Sequence, residues 1–292
     1  MLKKSLLCSL FFANILFASG SEVNVYSQRH YDSDKALFKK FEEKTGIKVN
    51  LITAKAEELV SRLSIEGANS PSDILITADI GNLYEAKERD LLQGVSSKTL
   101  EKNIPAHLRD EGGKWFAITK RARLFVYNPK TINPAHLDDY FSLTKPEFKG
   151  KVITRSSTNA YNKSLLASII AHHGEEKSLE FVKGLVNNFA RDPKGADKDQ
   201  IRAVASGEAD IAIVNSYYLG VMANSGDKVD EEIAKEVKVF FPAQKTTGAH
   251  INISGAGITK FAPNKENAIK LIEFLTSEEA QGELAQGNYE YP

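Results

Sequence analysis

The order of hydrophobic patterns between Glu22 and Leu92 constrains this chain more than any other feature. Val23-Asn-Val-Tyr-Ser27 reads as a short strand. Residues 34–44 read as a helix with Leu37, Phe38 and Phe41 on one face and Gly46 just past its end. Ile47, Val49 and Leu51 alternate with polar residues, which is a strand pattern. Residues 56–66 are helical again, with Leu59, Leu63 and Ile65 apolar. After Pro71-Ser72 comes a largely apolar strand of the buried parallel type, residues 73–79, and then a helix over 81–92. A β-α-β-α-β run closes into a parallel sheet covered by helices, because parallel strands need a crossover and the helix supplies it.

The rest of the chain repeats the theme without an internal sequence repeat. Strands are expected at 124–127, stopped by Asn128-Pro129, at 151–154, at 210–214 and at 237–241 before Pro242. Helices are expected at 162–172, 179–189, 200–206, 265–275 and 277–285. The length suits two α/β lobes joined by crossing strands better than one very large sheet. Crossings are expected near 117–123 and 240–245. Ligand clefts in such folds lie at the carboxyl ends of strands.

Residues 1–20 carry a different signal. A basic start, an apolar run from Leu6 to Phe17 and the small residues Ala18, Ser19 and Gly20 make a secretory signal peptide. The run falls short of the roughly 20 apolar residues that span a bilayer. Cys8 lies inside this run without the setting of a lipid-attachment cysteine. Export and cleavage remove it, and it is the only cysteine, so the exported chain has neither a disulfide nor a thiolate metal ligand. Loss of Lys3 and Lys4 leaves 36 basic against 38 acidic residues, which argues against a nucleic-acid or membrane-surface role.

Three expected strand-to-helix junctions present unusual side chains: Tyr26-Ser-Gln-Arg-His-Tyr31, Asn159-Ala-Tyr161 and Asn215-Ser-Tyr-Tyr218. On a strand Tyr217 and Tyr218 point to opposite faces, and within a helix neighbours diverge by about 100°. Both face one cleft only at a turn, and Asn215-Ser216 supplies turn and N-cap chemistry. The plain reading of any single tyrosine is packing. Together, the aromatic hydroxyls and an imidazole form a candidate shared site. A phenol is neutral near pH 7, and a strongly charged cation can force it to phenolate. Phenolate and imidazole donors without cysteine favour Fe(III) over Zn(II) or Cu(I), whereas Ca(II) calls for carboxylates and carbonyls.

At these residues the sequence resembles the periplasmic ferric-ion-binding proteins of bacterial iron ABC transporters, within the transferrin-like solute-binding proteins. The matching stretches are Val23 through Tyr31, Trp115 through Asn128, Gly207-Glu-Ala-Asp210, Asn215 through Tyr218, and Asn252-Ile-Ser-Gly-Ala-Gly257, in order through most of the exported chain. The resemblance implies an α/β, two-lobe periplasmic binding protein fold. Each lobe is then a mostly parallel sheet flanked by helices, and hinge strands join the two. It implies lobe one from 21–120 plus part of 245–292, and lobe two from 121–244. His30 and Tyr31 match ligands of the first lobe, and Tyr161, Tyr217 and Tyr218 those of the second; branches of the family differ in whether the position of His30 binds. Arg29, Arg121 and Arg123 fall in the matching stretches and are candidates to offset phenolate charge or hold a carbonate-like synergistic anion, or else to form ordinary salt bridges. The implied function is a monomeric, periplasmic Fe(III)-binding component that delivers ferric ion to an inner-membrane ABC permease. The same fold holding an anion or small organic solute is the alternative. Relatives continue beyond Tyr289-Glu-Tyr-Pro292 with a further helical segment, so the sequence is expected to be incomplete or truncated there.

Other candidates rank lower. His172-His173 precedes Gly174, where a helix C-terminus favours cations. His107, His136 and His250 are isolated and expected to be structural. Ser254-Gly-Ala-Gly257 lacks the Lys-Ser/Thr of a phosphate loop. Trp115 is expected to pack, and Asp73 and Asp79 to cap turns. No nucleophile elbow, zinc-protease spacing or acid–base pair points to an enzyme.

Overall fold

A computed structural model describes residues 22–29 and 31–291. The expected signal peptide, Cys8 and His30 lie outside the described residues. The first lobe opens with β1 (Glu22–Ser27), α1 (Asp32–Thr45), β2 (Lys48–Thr53), α2 (Ala56–Glu66), β3 (Ile74–Thr77), α3 (Ile80–Glu88) and α4 (Lys98–Asn103). The long strand β4 (Phe116–Tyr127) then leads into β5 (Val152–Ile153), α5 (Ala160–Asn187), α6 (Asp197–Ala205), β6 (Ile211–Asn215), α7 (Tyr217–Ala223), α8 (Lys228–Glu236) and β7 (Lys238–Phe240). The chain returns through β8 (Ile251–Ile258) and ends in α9 (Lys265–Leu275) and α10 (Glu278–Asn288).

The strands run in the order β2-β1-β3-β8-β4-β6-β5, with β7 also on β4. The parallel pairs are β1–β2, β1–β3 and β5–β6, each joined through helices. The strands that travel between lobes run antiparallel to their neighbours, so each lobe's sheet is mixed at that side. β4 is the shared element. Residues 116–122 pair with β8 and residues 123–127 with β6 and β7. At about 3.3 Å per residue its twelve residues cover roughly 40 Å, enough to belong to both sheets.

The period of two along the strands sorts the core. In β1 and β3, Val23, Val25, Ile74 and Ile76 pack under α1, α9 and α10, while Tyr26 and Leu75 meet α2 and α3 on the other face. In β4 and β6, Phe125, Tyr127, Ile211 and Ile213 face α5, while Leu124, Val126, Ala212 and Val214 face α6, α7 and α8. Gly174 (φ 80°, ψ 169°) breaks α5 into two arms, which the sequence presents as two separate helices. β8 has no hydrophobic alternation to announce it. A Cβ on Gly255 would lie 2.7 Å from the Phe116 carbonyl and 2.8 Å from Leu83, so the glycine-rich run is a strand pressed against β4 and α3. Residues 241–250 still hold to the second lobe, through Ala243 N to Asp138 O and His250 N to Tyr140 Oη. The return passage therefore starts at Ile251 rather than within the expected 240–245. Among the described residues no helix is long and apolar enough to cross a membrane.

Candidate metal centre

Each tyrosine of interest sits where a strand gives way to a helix. Tyr31 is the extended N-cap residue of α1, just past β1. Tyr161 is the second residue of α5, and its backbone N–H donates to the capping Asn159 Oδ1 at 3.1 Å. Tyr217 and Tyr218 open α7 at the end of β6. The expected turn is thus the first turn of a helix. Ser216 has helical dihedrals and makes no side-chain cap; its Oγ takes the N–H of Ala122 at 3.2 Å and ties α7 to β4. Helical divergence does not separate the pair, because their rings stack with centroids 4.2 Å apart and planes 29° from parallel.

The four phenols meet across the lobes. Tyr31 interacts with Tyr161 and Tyr217, and Tyr217 and Tyr218 each interact with Tyr161 and Tyr31. Burial pushes the hydroxyls of Tyr31, Tyr217 and Tyr218 above the ordinary phenol range, and the charge of Tyr161 pushes the same way. Tyr217 is 4% exposed, and its hydroxyl interacts with those of Tyr31 and Tyr218. A cleft of about 370 Å³ lies beside Tyr31 and Tyr161, lined also by Gln28, Arg29, Thr53 and Ala78. No cluster of three or more His, Cys, Asp or Glu suited to a metal exists among the described residues.

Buried arginines frame the cluster on both sides. On the first-lobe side, Arg29 makes a bidentate pair with Asp34 (2.9 and 2.8 Å). Its Nη1 reaches Glu290 at 2.9 Å, and its guanidinium lies 4.9 Å from the Tyr31 ring centre. Burial opposes the charge of Arg29, but Glu290 and Asp34 outweigh it and hold the group protonated. Arg121 stands 5.2 Å from the Tyr161 ring; its Nη1 donates to Ser254 Oγ at 2.9 Å and lies 3.5 Å from Glu290. Arg121 Nε and Nη2 make no hydrogen bond among the described residues. On the second-lobe side, Arg123 donates to Asp197 (2.6 Å), Asn162 (2.6 Å) and Asn215 (3.3 Å). Asp197 is fully buried and also accepts from Asn215 N at 2.9 Å and from Arg155 Nη1 at 2.7 Å.

Arg155, Asp197 and Glu290 are functional neighbours that the sequence reading did not single out. The only signal for Arg155 is its position at the end of β5, six residues before Tyr161. Asp197 and Glu290 carry no local signal, since their partners lie far along the chain.

The lower-ranked candidates resolve into structure. Asp79 caps α3 through Gly81 N (2.8 Å), and Asp73 accepts from Asn24 N (2.7 Å) and Asn264 N (2.5 Å). His173 meets Phe141 edge-on at 5.0 Å, and Trp115 packs against the core under α2 and α3. His250 Nε2 and Ser164 Oγ share a hydrogen bond at 2.9 Å; burial lowers the pKa of His250 to about 4, and Arg123, Arg121 and His172 add to the shift. Since Asn252 Nδ2 donates to Ser164 Oγ (3.0 Å) and to Asp79 Oδ2 (2.5 Å), a polar chain links α3, β8 and α5 just behind Tyr161.

Known proteins share the fold and much of the sequence. Residues 26–282 match the family of bacterial extracellular solute-binding proteins. "Iron uptake protein A1" of Synechocystis is 52% identical, over 93% of this chain and 75% of that protein. A ferric binding protein from Campylobacter jejuni superposes with a TM-score of 0.88 at 52% identity, covering 92% of this chain and 86% of that one. A Trichodesmium protein solved in complex with iron and citrate ligands superposes with a TM-score of 0.88 at 49% identity, covering 93% and 86%. The chain belongs to the bacterial extracellular solute-binding proteins.

Proposed function

For this solute-binding protein we propose the capture of ferric ion between the two lobes and its delivery to an inner-membrane ABC permease, from the periplasm and as a monomer. The observation that carries the reading is the meeting of Tyr31 from one lobe with Tyr161, Tyr217 and Tyr218 from the other. Ferric ion is the cargo that suits hard phenolate oxygens in a cluster free of thiolates and carboxylates. His30, beside Tyr31 in sequence, completes the proposed ligand set. The names of the relatives, which concern iron uptake and ferric binding, support the same cargo.

The lobes, residues 21–120 with part of 245–292 and residues 121–244, close on the ion about β4 and β8. Binding favours the closed form because only there do ligands from both lobes reach the metal; a ligand shifts an equilibrium by its differential affinity for the two states. The unpaired Nε and Nη2 of Arg121, close to the Tyr161 ring, favour a carbonate-like anion as companion to the iron. They equally favour the second reading, an anion or small organic solute as the cargo itself.

A visible absorption titration of chelator-stripped protein with Fe(III) separates these readings. A phenolate-to-iron charge-transfer band saturating near one equivalent, and lost in Tyr217→Phe/Tyr218→Phe, establishes ferric capture. A folded protein that stays colourless transfers the site to anions or organic solutes.

A further inference from the structure

The charges around the tyrosines are not symmetric. On the first-lobe side two guanidiniums, Arg29 and Arg121, face two carboxylates, Asp34 and Glu290. On the second-lobe side two guanidiniums, Arg123 and Arg155, share the single carboxylate of Asp197. The other acceptors of Arg123 there, Asn162 Oδ1 and Asn215 Oδ1, are neutral. One positive charge is thus left without a counter-charge among the described residues, directly behind the lobe that carries three of the four tyrosines.

Geometry assigns that charge to Arg155. Arg123 is 1% exposed and held between β4, α5, α6 and β6. Arg155 makes one ion pair, keeps 21% of its side chain exposed, and places its guanidinium 5.6 Å from the centre of the Tyr161 ring. Its charge is also felt at Tyr218. Four phenolates around Fe(III) carry a net charge of −1, and the unbalanced cation carries +1.

We propose that Arg155, anchored on Asp197 and placed beside Tyr161 and Tyr218, is the counter-cation of the ferric site and neutralises the loaded centre. Arg155 touches no metal in this role; it is a positioning and charge-balancing residue that acts through the two tyrosines. The proposal rests on the ferric reading above. A cation near a negatively charged iron centre stabilises the ferrous state, which carries one more negative charge, more than the ferric state. Removing it therefore weakens Fe(III) binding and lowers the reduction potential of the bound iron together.

The experiment compares the whole chain with Arg155→Gln, Arg155→Met and Arg155→Lys. It measures Fe(III) affinity by citrate competition, the reduction potential of bound iron, and the melting temperature of the iron-free protein. Arg155→Gln is expected to bind Fe(III) roughly tenfold to a hundredfold more weakly, on the scale of one partly solvated charge at this distance. Its reduction potential falls as well, and Arg155→Lys recovers most of both. Arg155→Met, apolar and free of new hydrogen bonds, is read the same way should the glutamine variant melt early. Affinity and potential unchanged in the charge-free variants overturn the proposal. So does a lysine variant as impaired as the glutamine one, which would mean that guanidinium shape rather than charge matters. A wild-type protein that binds no Fe(III) overturns the ferric reading itself, whatever the variants do.

Discussion

The two sides of the tyrosine cluster are built differently. The second lobe contributes Tyr161, Tyr217 and Tyr218, two of them already stacked, over a buried network with one more cation than anion. The first lobe contributes Tyr31 from a region whose arginines and carboxylates cancel. On the ferric reading proposed above, three phenols held in one lobe begin to bind the cation before the lobes meet, because their spacing does not depend on closure. The first lobe then completes the shell and excludes water. A division into a capturing half and a closing half follows from where the residues sit, and each half fails in its own way when altered.

The largest expected effect is on stability, and it separates the two networks. Asp197→Asn leaves the buried Arg123 and the half-buried Arg155 with no anion between them and should cost about 5 kcal/mol in urea unfolding. Glu290→Gln leaves Asp34 facing Arg29 and Arg121 and should cost about 3 kcal/mol. Equal costs would break the contrast in charge. Affinity tests the division of labour next. Tyr217→Phe/Tyr218→Phe should lower Fe(III) affinity by roughly a thousandfold or more, about 4 kcal/mol, with loss of the charge-transfer colour. Tyr31→Phe should lower it by roughly tenfold while the colour persists, because the capturing half is intact. A colourless Tyr31→Phe protein would place the halves on an equal footing.

The smallest expected effect concerns acid. His250 has a folded pKa of about 4 against an ordinary value of 6.5, so the unfolded chain takes up a proton at a pH where the native chain does not. The stability that the neutral imidazole contributes is present in full above pH 6.5. It is lost progressively as the pH falls from there through 4, with a total of about 3 kcal/mol. Plotted against pH, the stabilities of wild type and His250→Gln should have different slopes between pH 6.5 and 4 if this residue is responsible, and run parallel if it is not.

Much of this was legible in the sequence. Helices 56–66 and 265–275 appear at the bounds read from periodicity, since each has a clear apolar face. The meeting of Tyr31, Tyr161, Tyr217 and Tyr218 follows from their placement at strand-to-helix junctions, which parallel α/β topology gathers at one edge. What was illegible depends on contacts rather than on local pattern. β4 was recognised only at 124–127, because Lys120, Arg121 and Arg123 interrupt the apolar run; two of those arginines are 1% exposed and make sense only beside Glu290 and Asp197. β8 hid behind its glycines, whose reason is the nearness of Phe116 and Leu83. Helix α8 was missed for the opposite cause: of its nine residues only Asp230 is buried, and that residue pairs with Arg202 rather than joining an apolar stripe.

The position of β8 also sets an order of assembly. This strand lies between β3 and β4 in space but follows the whole second lobe along the chain. A polypeptide released amino-terminus first exposes the free edge of β3 throughout the emergence of the second lobe. During that interval β6, β5 and β7 can already pair with the far half of β4. The tyrosine-rich lobe is then the first finished part of the nascent molecule, and the lobe carrying Tyr31 is sealed only when Ile251–Ile258 slots in beside Ile74 and Phe116. A waiting strand edge of this kind is what invites pairing with a foreign strand. The dangerous moment in the life of this protein is therefore its birth, before β8 has arrived.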